Sequence, residues 1–294
     1  MKNLFYGKIC LHSLEDLYTY LILVKLSDGL HPKTYLGSEK MHPIKSIEAH
    51  YQTYVIKHFE KSKYFKRLQK FKGIHNGETC FIVGNGPSLS ADDLEVLHKN
   101  KIPTFGFNRI FLMFEKTNWR PTYYISQDEK TLKNCIQQVN EMNLPYKFIP
   151  LQWKYYYDIN IDKALYFNMS ADDSIPFGKF ANIVENSNTV AYTAAQLAAY
   201  MGFKKIYLIG VDHSFSVVKN DKGEIIRDEN TKDYFTDAYN ADKDELYIPN
   251  LDASTRTFLK MKKNCDAAGI EVYNATRGGK LEVFPRVNFD DLFT

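Results

Sequence analysis

The chain has few cysteines, no long apolar run and no marked excess of either charge. Its four cysteines, Cys10, Cys80, Cys135 and Cys265, are scattered with no C-x-x-C pair. That spacing argues against a zinc cluster and a disulfide framework, and suits a reducing cytoplasm. The longest apolar stretch, residues 17–26 (LYTYLILVKL), contains Lys25 and is too short to span a bilayer. No N-terminal segment combines a basic start, an apolar core and a small-residue cleavage site, so a cytoplasmic protein is expected, with the inner face of the membrane as a further possibility. A formal net charge of +3 is too small to argue for nucleic acid. There is no internal repeat, no low-complexity tract, no G-x-G-x-x-G fingerprint and no Walker loop.

What is present is an ordinary globular composition, 44% apolar and 25% charged over 294 residues. That length suits one large α/β domain with an appendage, or two small domains. Tyrosine and phenylalanine are plentiful, with 21 and 20 copies, and serve as core filler first and as platforms for sugars or bases second. Ser13 and Asp16 open a first predicted helix, which Gly29 and Pro32 stop. A second is predicted over residues 43–71. Its end carries Lys57, Lys61, Lys63, Lys66, Arg67, Lys70 and Lys72 against Glu60 alone. Such a stretch, residues 57–72, reads as a solvated basic helix face, or less readily as a peripheral docking surface for an anionic membrane or partner.

From about residue 77 apolar runs (TCFIVG, IPTFGFN, PTYYIS, YKFIPL, KIYLIGVD and IEVYNAT) alternate with helical segments (ADDLEVLHKN, DEKTLKNCIQQVNEM, NTVAYTAAQLAAYMG and STRTFLKMKKNCDAAG). The pattern predicts an α/β fold, Rossmann-like, with a mostly parallel sheet and helices on both faces. Residues 1–75 would form an N-terminal helical extension, and residues 76–294 a nucleotide- or nucleotide-sugar-binding catalytic domain. In such sheets ligands bind beyond the carboxyl ends of the strands.

Reading just past each strand gives the candidate residues. Gly84, Asn85, Gly86, Pro87 and Ser88 form either a tight turn or a loop whose glycines admit a ligand to the backbone. Asn108 and Arg109 read as a sugar or anion contact, or as a capping residue and a surface charge. Asp128 reads as a helix cap before a metal ligand or base. Asn188 and Thr189 lie in a capping run at the start of a small-residue helix. Gly210, Asp212 and His213 end a strand, and His213 alone among eight histidines falls where this architecture places chemistry. Asp212 could orient it as a general base if the chain bends after Val211. Arg277 and Lys280 flank Gly278 and Gly279, a phosphate clamp or a plain hairpin turn. No cluster of acids has metal-ligand spacing.

The motifs FIVGNGPSL, FGFNRIF, WRPTYYISQDE, NTVAYTAAQLAAYMGFKKIYLIGVDHSF and YNATRGGKLEVFPRV, in this order from about Phe71 onward, resemble a bacterial family labelled 6-hydroxymethylpterin diphosphokinase MptE-like. Its relatives include motility-accessory-factor glycosyltransferases that decorate flagellin. The chain is more distantly similar to bacterial sialyltransferases that use CMP-sialic acid, sharing the G-N-G-P-S loop, the asparagine after the second strand and the helix–strand run to Asp212. That likeness implies that Asn85, Ser88 and Asn108 hold the donor nucleotide and its phosphate. Those enzymes have tyrosines where this chain has His213 and Ser214, and a catalytic histidine in Y-I-G-H where it has Tyr247-Ile248-Pro249-Asn250. Either His213 replaces that base or the reaction and sugar differ.

Two functions follow as expectations. The first is a glycosyltransferase using a nucleotide-activated sugar, for example a CMP-linked one, with a glycan or lipid-linked acceptor in surface-glycan synthesis and no cofactor. The alternative is an ATP-dependent pterin-alcohol diphosphokinase, which would need Mg2+ held by carboxylates such as Asp128 and Asp212. A non-catalytic nucleotide-binding module would need the loop alone. A homo-oligomer contact through the N-terminal helices is the remaining partner expected; nucleic acid is not.

Overall fold

The computed structural model describes residues 43–228, 230–240 and 247–293, and the first predicted helix lies outside them. The chain divides into the units Met1–Ser62 and Lys63–Thr294, whereas composition changes texture near residue 75. In the first unit, α1 spans Pro43–Lys57 and a 3-10 turn spans Phe59–Lys61. In the second, α2 spans Lys63–Gln69. The continuous helix predicted over 43–71 is therefore corrected to three pieces. His58 leaves helical geometry (φ −109°, ψ 35°) and Ser62 is extended (φ −81°, ψ 160°). The basic stretch is accordingly not one helix face.

The rest of the second unit runs β1 Thr79–Val83, α3 Ala91–Lys99, β2 Thr104–Phe107, β3 Tyr123–Ile125, α4 Glu129–Lys133, α5 Ile136–Glu141, β4 Lys147–Pro150, α6 Leu151–Tyr157, β5 Leu165–Phe167, β6 Met169–Ser170 and β7 Val184–Glu185. It continues with α7 Val190–Met201, β8 Lys205–Ile209, β9 Val217–Lys219, β10 Ile225–Arg227, α8 Leu251–Ala267 and β11 Glu271–Asn274. Seven strands form one sheet in the order β11-β8-β1-β2-β3-β4-β5. Every pairing in it is parallel. This is the Rossmann-like α/β architecture expected.

The strands read as unbroken apolar runs because helices cover both faces of such a sheet. Residues 80–83 and all of β2, β3 and β5 are buried. The small side chains of α7, including Ala191, Ala194, Ala195 and Ala198, sit fully against the interior. Short pieces escaped prediction: β5, α6, and the two-stranded pairs β6–β7 and β9–β10. The helix predicted over DEKTLKNCIQQVNEM breaks into α4 and α5, because Cys135 takes a non-helical φ of −140°.

The strand order sets the site. From β1 the chain adds β2, β3, β4 and β5 on one side, then returns to place β8 and β11 on the other. The crevice above β1 and β8 is thus the topological switch point, where parallel sheets receive ligands.

Candidate functional site at the switch point

Two loops meet there, Gly84–Ser88 after β1 and Gly210–Ser214 after β8. The Gly84 amide donates to the Ile209 carbonyl (2.8 Å) and the Gly86 amide to the Gly210 carbonyl (2.8 Å). A Cβ on Gly84 would lie 2.3 Å from the Gly210 oxygen, and one on Gly86 would lie 1.9 Å from Asp212 Oδ2. These glycines therefore serve first to let two backbones approach, and their amides are used within the protein. The Ser88 hydroxyl donates to Asp212 Oδ2 (2.7 Å), with its amide at 3.4 Å.

Beside these loops a cavity of about 610 Å³ opens at the carboxyl end of the sheet. Gly84, Asn85, Gly86, Asn108 and Asp128 line it, together with Asn188, Thr189, Gly210, Asp212 and His213. Pro87, Ser88, Arg109, Arg277 and Lys280 do not. Arg109 is buried, and its Nη1 donates to the Tyr239 carbonyl (2.7 Å). Arg277 is clamped between Asp93 (2.8 Å) and Asp290 (2.5 Å), which hold its guanidinium charged. The Lys280 amide donates to the Asp212 carbonyl (2.7 Å), and its side chain is exposed. Of the two readings of this loop, a phosphate clamp or a plain turn, the second is favoured, because the charge of Arg277 is spent on two carboxylates. Among the described residues no lysine or arginine lines the cavity.

Positive electrostatics come instead from helix ends. Thr189 caps α7 through the Ala191 amide (3.4 Å), and Asn250 caps α8 through the Ala253 amide (2.9 Å). Both caps line the cavity, so two long helices present their amide ends to it. Asp128 caps α4 through the Thr131 amide (2.9 Å), and burial pushes its carboxyl above the usual range.

His213 and Asp212 diverge. His213 takes a left-handed φ of 54°, as does Asn108 (φ 47°), conformations sparsely used by residues with a side chain. The bend turns the imidazole toward α8, where Nε2 lies 2.7 Å from Thr255 Oγ1. Thr255 donates its only hydroxyl proton to the Leu251 carbonyl (2.9 Å), so toward His213 it accepts. In that arrangement Nε2 carries the ring proton and Nδ1 is the nitrogen able to accept one. Burial lowers the His213 pKa and keeps the ring neutral. The expectation that Asp212 orients His213 is corrected: its carboxylate faces Ser88, and burial raises its pKa although the Ser88 hydrogen bonds oppose this. The orienting group is Thr255, from an element with no sequence signal pointing to His213.

A strap formed by residues 233–240 crosses the expected donor contacts. The Phe235 amide donates to the Asn85 carbonyl (3.1 Å), and Arg109 reaches the Tyr239 carbonyl. Asn108 hydrogen-bonds the Tyr239 side chain, whose ring stacks on Tyr234 at 3.8 Å. The Asn85 amide donates to the Phe107 carbonyl (3.3 Å), while its buried Oδ1 meets no hydrogen-bond partner among the described residues. The opposite wall carries Gln127, Trp153, Tyr157 and Tyr247, which strand-end reading did not single out.

Among the described residues no three His, Cys, Asp or Glu side chains gather as a metal site would require, and no helix is long and apolar enough to cross a membrane.

Fold and cavity together define a doubly wound α/β protein with an open crevice at its switch point. The family model described as 6-hydroxymethylpterin diphosphokinase MptE-like matches residues 52–218, more than half of the chain, and the chain belongs to that family. A solved structure, the MAf glycosyltransferase from Magnetospirillum magneticum AMB-1, is similar at 14% identity with a TM-score of 0.43. That match covers 77% of this chain and 38% of the other. No curated protein matches.

Proposed function

We propose that the chain is a glycosyltransferase that takes a nucleotide-activated sugar, of the CMP-linked kind, and transfers the sugar to a glycan or lipid-linked acceptor in surface-glycan synthesis. The observation that carries this reading is His213, neutral, lining the cavity, with Nε2–H held by Thr255 and Nδ1 left to accept a proton. The acceptor hydroxyl oxygen attacks the anomeric carbon and its proton passes to Nδ1. The bond from that carbon to the phosphate oxygen breaks, and the electron pair leaves with the nucleotide. The helix ends at Thr189 and Asn250 favour the departing phosphate without a cation. A single-phosphate leaving group suits a lining with no lysine or arginine among the described residues.

The diphosphokinase reading suggested by the family's description needs carboxylates for magnesium. Asp128 is occupied as a helix cap and Asp212 by Ser88, which favours the first reading. The test is nucleotide release from CMP-, UDP- and GDP-sugars with added glycan acceptors, with and without a chelator. Release of CMP that survives the chelator and disappears in His213→Ala is the expected outcome. Conversion of ATP to AMP that requires both a pterin alcohol and magnesium would replace this reading with the kinase one.

A further inference from the structure

Three aromatic side chains line the cavity on the side where β3 and β4 end, beside α4 and α6, and nothing above gives them a role. Trp153 and Tyr157 come from α6, and Tyr247 from the segment before α8. Tyr157 is 44% exposed and Tyr247 58%, although buried aromatic surface is among the largest apolar contributions available to a fold. Their arrangement is specific. Lys133 Nζ sits 4.0 Å from the centre of the Tyr157 ring, and Lys130 Nζ sits 4.3 Å from that of Tyr247. Positions 130 and 133 are neighbours on one helix face, so α4 holds both rings along a common wall. Each ammonium engages its ring, leaving the remaining ring surface for a ligand. Trp153 stands 5.5 Å from Tyr157, and its indole N–H is tied to the Gln127 carbonyl (2.9 Å).

We propose that Trp153, Tyr157 and Tyr247 form the nucleobase end of the donor site. This rests on the nucleotide-sugar reading given above and adds the orientation of the donor. Position decides between a base and an acceptor sugar. Adjacent strands lie about 4.8 Å apart, so the wall after β4 is roughly 14 Å from the loop after β1 and roughly 19 Å from the end of β8, where His213 stands. An acceptor must bring its hydroxyl to His213. The base of a nucleotide sugar is separated from the reacting carbon by a ribose and a phosphate, and is the part that belongs at the far end. Gln127 engages both ends of its amide, with Thr193 and with the Ser187 carbonyl, so at that residue the wall offers a surface for stacking and no free edge-reading amide. The donor then lies across the strand ends, base at α6, phosphate above β1 and sugar toward His213.

The chain has two tryptophans, and the other, Trp119, is 1% exposed in the core. Protein labelled with 5-fluorotryptophan therefore gives two fluorine resonances, and a soluble paramagnetic agent that broadens the accessible one assigns it to Trp153. The labelled protein is titrated with CMP, UMP, AMP, ribose 5-phosphate and simple hexoses, with calorimetry alongside. The expected result is a shift of the Trp153 resonance by nucleotides, none at Trp119, and none at either with ribose 5-phosphate, which lacks a base. Tyr157→Ala, at an exposed position, should weaken nucleotide binding about five- to a hundredfold. Nucleotide binding seen by calorimetry with Trp153 unmoved would place the base elsewhere and overturn the inference while the nucleotide reading stands. A Trp153 shift with simple hexoses and none with nucleotides would give the wall to a sugar and overturn it as well. No heat with any nucleotide would defeat both readings.

Discussion

The two ends of the parallel sheet each hold a histidine, and the two are used oppositely. At the amino end His75 bonds through both nitrogens, to Glu78 Oε2 (2.8 Å) and to the Tyr123 hydroxyl (2.6 Å), while its ring stacks on Phe203 at 4.3 Å. Around it Phe71, Phe105, Tyr123 and Phe148 pack ring against ring. At the carboxyl end His213 bonds through one nitrogen, on strained backbone, beside a cavity. A histidine with both nitrogens engaged braces the fold, and one with a nitrogen in reserve can take a proton. The difference lies in partners and not in residue type.

That contrast can be broken by experiment. The largest expected effect is on turnover: His213→Ala should cut transfer about 100- to 10,000-fold, whereas His75→Ala should leave kcat within a few-fold. Equal losses in the two variants would remove the distinction. Gly84→Ala should follow, destabilising by about 3 kcal/mol or preventing folding, because the added carbon meets a backbone oxygen and not a movable side chain. Thermal melts of that variant measure it. His75→Ala should cost about 1–3 kcal/mol of stability through its two hydrogen bonds and its stack, read by denaturant unfolding. A smaller effect belongs to Thr255→Val. Loss of one accepting hydroxyl should lower kcat about two- to tenfold and let nitrogen NMR detect a mixture of His213 tautomers, which a merely structural role would not produce.

The smallest effect is pH-dependent. His213 has its folded pKa lowered by burial from the ordinary value of 6.5. Below that value the unfolded chain binds a proton that the folded chain refuses, so stability rises with pH and is lost as pH falls from about 6.5 toward the folded pKa. His213→Gln should flatten that slope in chemical unfolding below about pH 6.5. Catalysis has the same sign, since Nδ1 stays unprotonated to lower pH, and the acid limb of kcat/KM should fall below 6.5. An acid limb above 6.5 would contradict the buried neutral base.

Much of the sheet was legible because buried parallel strands are uninterrupted apolar runs. TCFIV, TFGF and KIYLI announce themselves, and the rule for strand ends then leads to Asn85, Asn108 and His213. Short elements were not. LQWKYYY carries β-favouring aromatics and no helix signal, yet it turns helical directly after Pro150. Partners remote in sequence left no trace either. Nothing local reveals that Arg277 is committed to Asp93, or that the hydroxyl facing His213 belongs to Thr255. Asp128 was legible both ways, as a cap and as a cavity residue, since a helix starting at a strand end does both.

The adjacency of β1 and β8 also governs when the site can exist. Phe81 lies opposite Tyr207, so one edge of β1 pairs with the nearby β2 while the other waits for a strand made much later. Until β8 is synthesised, the Gly84–Ser88 loop has no Gly210 to rest on, and an apolar strand edge stays open to other chains. Pulsed hydrogen exchange during refolding should find the β1–β2 amides protected before the β1–β8 amides. In kinetic terms the crevice exists only once β8 has joined β1, so nucleotide binding would report that this late strand has docked, and a chain stalled before β8 would carry the apolar edge of β1 uncovered.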